Sequence, residues 1–156
     1  EPIPTLGEVL DALGDARLLN LELKGEGVFD HKLVPAVVKR LEGVDVGQRV
    51  LVSSFNGYLL RQVHRLMPRV PVALLYARSP LPTRLLGSVL IGSRPAAIHP
   101  HHELVNQERV GRAHRGGMLV NVWTVDDRER MDALIEVGVD GIITNRPALL
   151  RDVLEE

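Results

Sequence analysis

The 156-residue chain contains no cysteine. A disulfide framework, thiolate chemistry and a sulfur-held zinc are therefore excluded. It also has no strong charge excess: 19 basic and 20 acidic side chains leave a net charge of −1. Such a balance gives no sign of nucleic-acid or membrane-surface binding. No apolar run approaches the roughly 18 residues that a spanning helix needs. The chain opens Glu1-Pro2 without a methionine or a signal-peptide pattern, and the expected compartment is the cytoplasm. Nor does a glycine-rich phosphate loop follow the first strand, as it often does in doubly wound sheets.

What is present is alternation. In Leu18-Leu19-Asn20-Leu21-Glu22-Leu23-Lys24, leucines hold one parity while an amide, a carboxylate and an ammonium hold the other. Successive strand side chains point to opposite faces, so one face is aliphatic and the other chemically equipped. Further strands are expected over 50–55, 71–76, 96–99, 118–125 and 141–144. Helical patterns separate most of them. Thr5 and Glu8 make a capping box for the first helix, with Ile3 as its staple residue and Gly14 as its stop. Asp30 precedes a helix carrying Leu33, Val34, Val37, Val38 and Leu41, and Gly43 ends it. Asn56 and Asn106 are good N-caps, and Asp126 with Glu129 repeats the capping-box pattern. Gly138 stops that helix, and Pro147 opens the last one. Residues 77–95, interrupted by proline and glycine, hold at most a short helix near 82–88.

Alternating strands and helices imply parallel pairing with the helices outside. Both an open sheet and a closed barrel fit that order. Polar groups near the carboxyl ends of several strands favour a TIM-type (β/α)8 barrel, whose sites gather there. Such barrels take about 250 residues, so the expectation is one domain over 1–156 forming only the C-terminal part of a barrel.

Several motifs now stand in order. They are Pro2-Ile3-Pro4-Thr5-Leu6, Leu21-Glu22-Leu23-Lys24 and Val52-Ser53-Ser54-Phe55-Asn56. His99-Pro100-His101, Asn121-Val122-Trp123-Thr124-Val125 and the run from Gly138 to Pro147 complete the set. Together they resemble the glycerophosphodiester phosphodiesterase family along essentially the whole chain. The resemblance implies hydrolysis of glycerophosphodiesters to glycerol 3-phosphate and an alcohol, with a divalent cation, Mg2+ or Ca2+. It implies that Glu22 is a metal ligand, that Lys24 contacts the phosphate and that Trp123 lines the substrate pocket. Phe55 and His99 match positions near the barrel mouth. The family's His-Arg-Gly strand and Glu-x-Asp pair have no counterpart before Thr5. No catalytic acid–base residue is therefore assigned in this chain, and those histidines are expected upstream.

The residue chemistry is compatible with that implication. A hard cation takes carboxylate oxygen, and a nearby ammonium stabilises charge growing on a phosphodiester. Glu22 and Lys24 share a face about 7 Å apart along the strand. Trp123 offers glycerol carbons a flat apolar wall.

Other residues receive plainer readings. His114-Arg115-Gly116 spells the missing motif at a helix end, the wrong context for a catalytic strand. His99, His101 and His102 look like a metal cluster, but Pro100 interrupts them, and a structural or pocket-lining role is expected. His31 and His64 read as helix surface, and Asp140 as turn chemistry. Asn145, where the family usually has aspartate, is expected to cap the last helix. The expected partner is a small glycerophosphodiester, with no nucleic acid and no membrane span. Open barrel edges suggest self-association. The alternative function is a non-catalytic truncated barrel, serving as a binding or assembly module.

Overall fold

The structure is a computed structural model that describes residues 2–13, 18–25, 32–42, 49–77 and 94–156. Helix α1 spans Leu6–Leu13, α2 Leu33–Leu41, α3 Gly57–Leu66, α4 Gln107–Arg115, α5 Arg128–Val137 and α6 Pro147–Glu155. The strands are β1 Leu19–Glu22, β2 Val50–Ser54, β3 Val72–Tyr76, β4 Ala97–Pro100, β5 Leu119–Val122 and β6 Gly141–Ile142. They form one sheet in sequential order, β1 to β6, with every pairing parallel. Six parallel strands with helices along one face make a half-barrel of the TIM type.

Local chemistry explains the element ends. At α1, the Thr5 amide donates to Glu8 Oε2 at 2.7 Å and the Glu8 amide donates to Thr5 Oγ1 at 3.3 Å, closing the capping box. Ile3 remains 94% exposed, so the expected staple is absent: its side chain has no packing partner strong enough to hold the entering chain down. Asn56 and Asn106 cap α3 and α4 through the Tyr58 and Arg109 amides, each at 3.0 Å. Gly138 ends α5 at φ +85°, a conformation glycine adopts without Cβ strain. Gly14, Asp30, His31, Gly43 and the helix expected near 82–88 lie outside the described residues.

Two expected caps are reassigned. At α5 the cap is Asp127, accepting from the Arg130 amide at 3.0 Å, and not Asp126. At α6 the cap position is Arg146, with no side-chain bond. Asn145 instead donates its Nδ2 to Asp126 Oδ2 at 2.9 Å. Each of the two side chains is drawn away from its own helix by the other.

Parity divides the sheet. Leu19, Leu21 and Leu23 pack with Val50, Val52, Val72 and Leu74 against apolar residues of α1, α2 and α3. A second apolar cluster joins Ile98, Val120 and Val122 to Val110, Met131, Leu134 and Val153 of α4, α5 and α6. Each fully buried leucine here contributes about 1.5–3 kcal/mol. The other parity faces away from the helices. There Glu22, Ser53, Ala73 and Ala97 stand level on neighbouring strands. The three small side chains are all buried, as the inner side of a curved sheet requires.

The candidate active site

The curvature brings distant strands together. β2 and β5 are three strand spacings apart, about 14 Å in a flat sheet. Phe55, just past β2, and Trp123, just past β5, nevertheless meet edge to face with ring centroids 5.4 Å apart. The meeting point is the carboxyl end of the strands, where barrel sites lie.

Trp123 is held from several sides. Its indole Nε1 donates to the His99 carbonyl at 2.7 Å. His101 approaches its ring edge-on at 5.1 Å. Its backbone bridges in parallel to His101, with the His102 amide donating to the Trp123 carbonyl at 2.9 Å. Phe55 completes this aromatic corner and is 52% exposed.

Beneath the corner lies His99, only 1% exposed. Its Nε2 is 3.0 Å from Asn121 Nδ2. Burial disfavours the imidazolium and pushes its pKa down to about 4. A neutral ring must then accept the amide N–H at Nε2, which puts the proton on Nδ1. That Nδ1 is buried and has no partner among the described residues. The pKa of His102, just past β4, is also pushed down, by burial first and then by the charges of His101 and Arg130.

Glu22 closes β1 at the edge of the sheet, and Lys24 follows two residues beyond it on this same parity. Lys24 Nζ is 3.9 Å from Glu22 Oε1, with side chains 81% and 34% exposed. An open ion pair of this length contributes little stability, so both groups remain available to a ligand. Ser54 braces this end of β1: its hydroxyl donates to the Leu23 carbonyl at 2.7 Å and accepts from the Asn56 amide at 3.0 Å. The structure thus joins Phe55, His99 and Trp123 directly. It puts Glu22 and Lys24 on the same face, four strands from Trp123, with Phe55 just past β2, the first of the three strands between them.

Glu22 is the only carboxylate among the residues of the described strands. Beside it in register, the buried Ser53 hydroxyl has no partner among the described residues. Oxygen donors suit a hard cation. The described residues contain no group of three or more His, Asp or Glu side chains able to hold a metal. The donor set therefore fits one ligand of a cation site and not a whole site.

Sequence reading missed three members of this end of the sheet. Asn121 was legible only as sharing the parity of Trp123. Gly141 carries no side chain to notice, yet a Cβ there would come within 2.5 Å of Asn121 Oδ1. Asp126 accepts from Thr144 Oγ1 at 2.9 Å and from the Asn145 amide at 2.8 Å, joining two loops above the strands. At the opposite end of the sheet, Asp140 does more than turn the chain: it accepts from the Val120 amide at 2.8 Å and pairs with His114 Nε2 at 2.7 Å. The His114-Arg115-Gly116 triplet thus closes α4, far in the fold from the strand ends that carry Trp123.

Parallel β/α units around a curved sheet, with their polar and aromatic groups at the carboxyl strand ends, define a TIM-type barrel protein. Residues 1–149 match the glycerophosphoryl diester phosphodiesterase family, and the chain belongs to that family. It is 32% identical to a glycerophosphodiester phosphodiesterase of Caldanaerobacter subterraneus, covering 100% of this chain and 63% of that protein. It is 30% identical to one from Bacillus subtilis, over 97% of this chain and 54% of that protein. A solved phosphodiesterase from Oleispira antarctica, in complex with the product sn-glycerol-3-phosphate, superposes with a TM-score of 0.84 at 25% identity. That match covers 99% of this chain and 62% of the solved one. The chain thus spans less than two thirds of the length of these relatives.

Proposed function

We propose that this protein hydrolyses glycerophosphodiesters to glycerol 3-phosphate and an alcohol, using a divalent cation, Mg2+ or Ca2+. The observation that carries the reading is the shared face of the half-barrel. It bears a carboxylate and an ammonium at one strand end and an aromatic corner further round the curve. Family membership and the glycerol 3-phosphate bound by the Oleispira antarctica relative support this choice of substrate.

In the reaction an oxygen nucleophile attacks phosphorus, the bond from phosphorus to the alcohol oxygen breaks, and the alcohol leaves with a proton. Negative charge grows on the phosphoryl oxygens. Lys24, exposed on its four-carbon stem two residues past β1, reaches that charge. Glu22 would supply one oxygen ligand to the cation, which when bound would add Lewis-acid stabilisation of the same charge. Phe55 and Trp123 receive the glycerol carbons and exclude water. His99 is unsuited to proton transfer at neutral pH. It is neutral and buried, and its accepting nitrogen is occupied by Asn121. No described residue is assigned the proton transfer in this reading, and the isolated 156-residue chain is expected to turn over slowly if at all.

The test is hydrolysis of glycerophosphocholine by the natural full-length protein, with and without chelator. Chelator should abolish turnover. Glu22→Gln should lower kcat by about 10²–10³-fold, the scale on which one charge-stabilising group acts. Wild-type rates in Glu22→Gln would remove Glu22 from the site. Absence of any hydrolysis by the unmodified protein would favour the binding-module alternative instead.

A further inference from the structure

We propose that Asn121 is a positioning residue: its carboxamide fixes the His99 ring, and His99 in turn fixes the aim of the Trp123 indole through its backbone carbonyl. The substrate consequence of this coupling rests on the phosphodiesterase reading; the coupling itself does not.

Asparagine is a poor strand former, yet Asn121 lies inside β5, half-buried on the site face. Its position is defined on both sides. On the β4 side, Nδ2 meets His99 Nε2 at 3.0 Å. On the β6 side, Oδ1 occupies the space over Gly141, where a Cβ would stand 2.5 Å away. Any side chain at 141 would push the amide out of that space. The bare backbone of β6 thus seats the Asn121 amide against His99.

The next step passes through the main chain. His99 offers its carbonyl to Trp123 Nε1 at 2.7 Å. His99 is 1% exposed, so bulk solvent does not reach it to replace a lost partner. Nδ1 already lacks a partner among the described residues, and a second unpaired nitrogen in the same buried ring is costly, so loss of the Asn121 bond favours a shift of β4 that brings Nε2 to a new partner. That shift displaces the carbonyl that orients the indole. Phe55 and His101 confine the indole ring edge to face, at 86° and 85°. They do not supply the hydrogen bond that sets its tilt.

The charged and titratable groups nearby are accounted for. His101 faces Trp123 and pairs with Glu103 at 3.6 Å. Arg130 engages His102. Among the described residues, the side-chain partner of the His99 ring is Asn121.

Trp123 is the only tryptophan in the chain, so its near-ultraviolet circular dichroism and emission report this site without labelling. Asn121→Leu should collapse the tryptophan dichroism band and red-shift the emission, with far-ultraviolet dichroism unchanged. An unaltered tryptophan spectrum in that variant would overturn the coupling. Asn121→Asp covers the case in which the leucine variant does not fold. Its carboxylate favours the imidazolium, so the ring nitrogens of His99 in 15N spectra at pH 7 should change from neutral to protonated. A His99 ring that stays neutral opposite Asp would equally overturn the proposal.

Kinetics then separate the coupling from the function. In the natural full-length protein acting on glycerophosphocholine, Asn121→Leu should raise KM about tenfold and change kcat less than about threefold. Unchanged KM, with the spectral change present, would overturn the role in substrate positioning. If the unmodified protein shows no hydrolysis, the phosphodiesterase reading fails, and the spectra alone decide the coupling.

Discussion

At the scale of single residues, His99 carries a measurable signature. Its folded pKa is about 4, whereas an unfolded histidine titrates near 6.5. Between those values the unfolded chain binds a proton that the folded chain refuses, so stability falls as pH falls. Above about 6.5 the contribution is fully present; below about 4 it is gone. The total is roughly 3 kcal/mol. Urea denaturation across this window should show a loss of that order, and His99→Gln should flatten it. An unchanged slope in His99→Gln would place the acid sensitivity elsewhere. Residue identity was only half legible here. The shared parity of Glu22 and Lys24 was plain because they stand two residues apart, although β1, expected to run to 24, ends at Glu22. The roles of Asn121 and Gly141 were not, because each depends on a neighbour about 20 residues away across the sheet.

At the scale of elements, the loops after β5 and β6 are joined by one carboxylate. Asp126 receives Asn145 through both its side chain and its amide, together with the Thr144 hydroxyl. These bonds, those from Asn145 first, hold its pKa below the usual carboxylate range. A lowered folded pKa means stabilisation that is present above the unfolded value and lost as pH falls through the folded one. Melting temperatures of the wild type should therefore drop further in strong acid than those of Asp126→Asn. Parallel melting curves at every pH would show that this joint carries no such stabilisation. Most element positions were readable beforehand, because capping residues and apolar spacing act within a few residues. The exceptions have a common cause. Asp126 looked like a cap by spacing, yet Asn145 competes for it across two strands. β5 was expected to continue to 125 but ends at Val122. Beyond Val122 the pairing with β4 continues only as the isolated bridge from Trp123 to His101, and β6 itself stops at Ile142.

At the scale of the whole molecule, the sheet has two outer strands, β1 and β6, with no further described strand beside either. Exposed strand edges invite pairing with other chains. We expect the 156-residue chain to self-associate, with a light-scattering mass that rises with protein concentration. A monomer mass throughout the range would show that the edges are protected. No helix among the described residues is long and apolar enough to cross a membrane. Barrel ancestry was readable from alternation and motif order, since both survive in any stretch of repeating strand and helix. The assembly of the site was not, because it depends on curvature: only a bent sheet lets a ring from β2 touch one from β5.

The indole tether has a genetic corollary. Its acceptor belongs to the peptide group of residue 99, and every amino acid supplies that oxygen. No point mutation at 99 can delete it. Substitutions there or at 121 act on the tryptophan by moving that oxygen, while the oxygen itself stays in the chain.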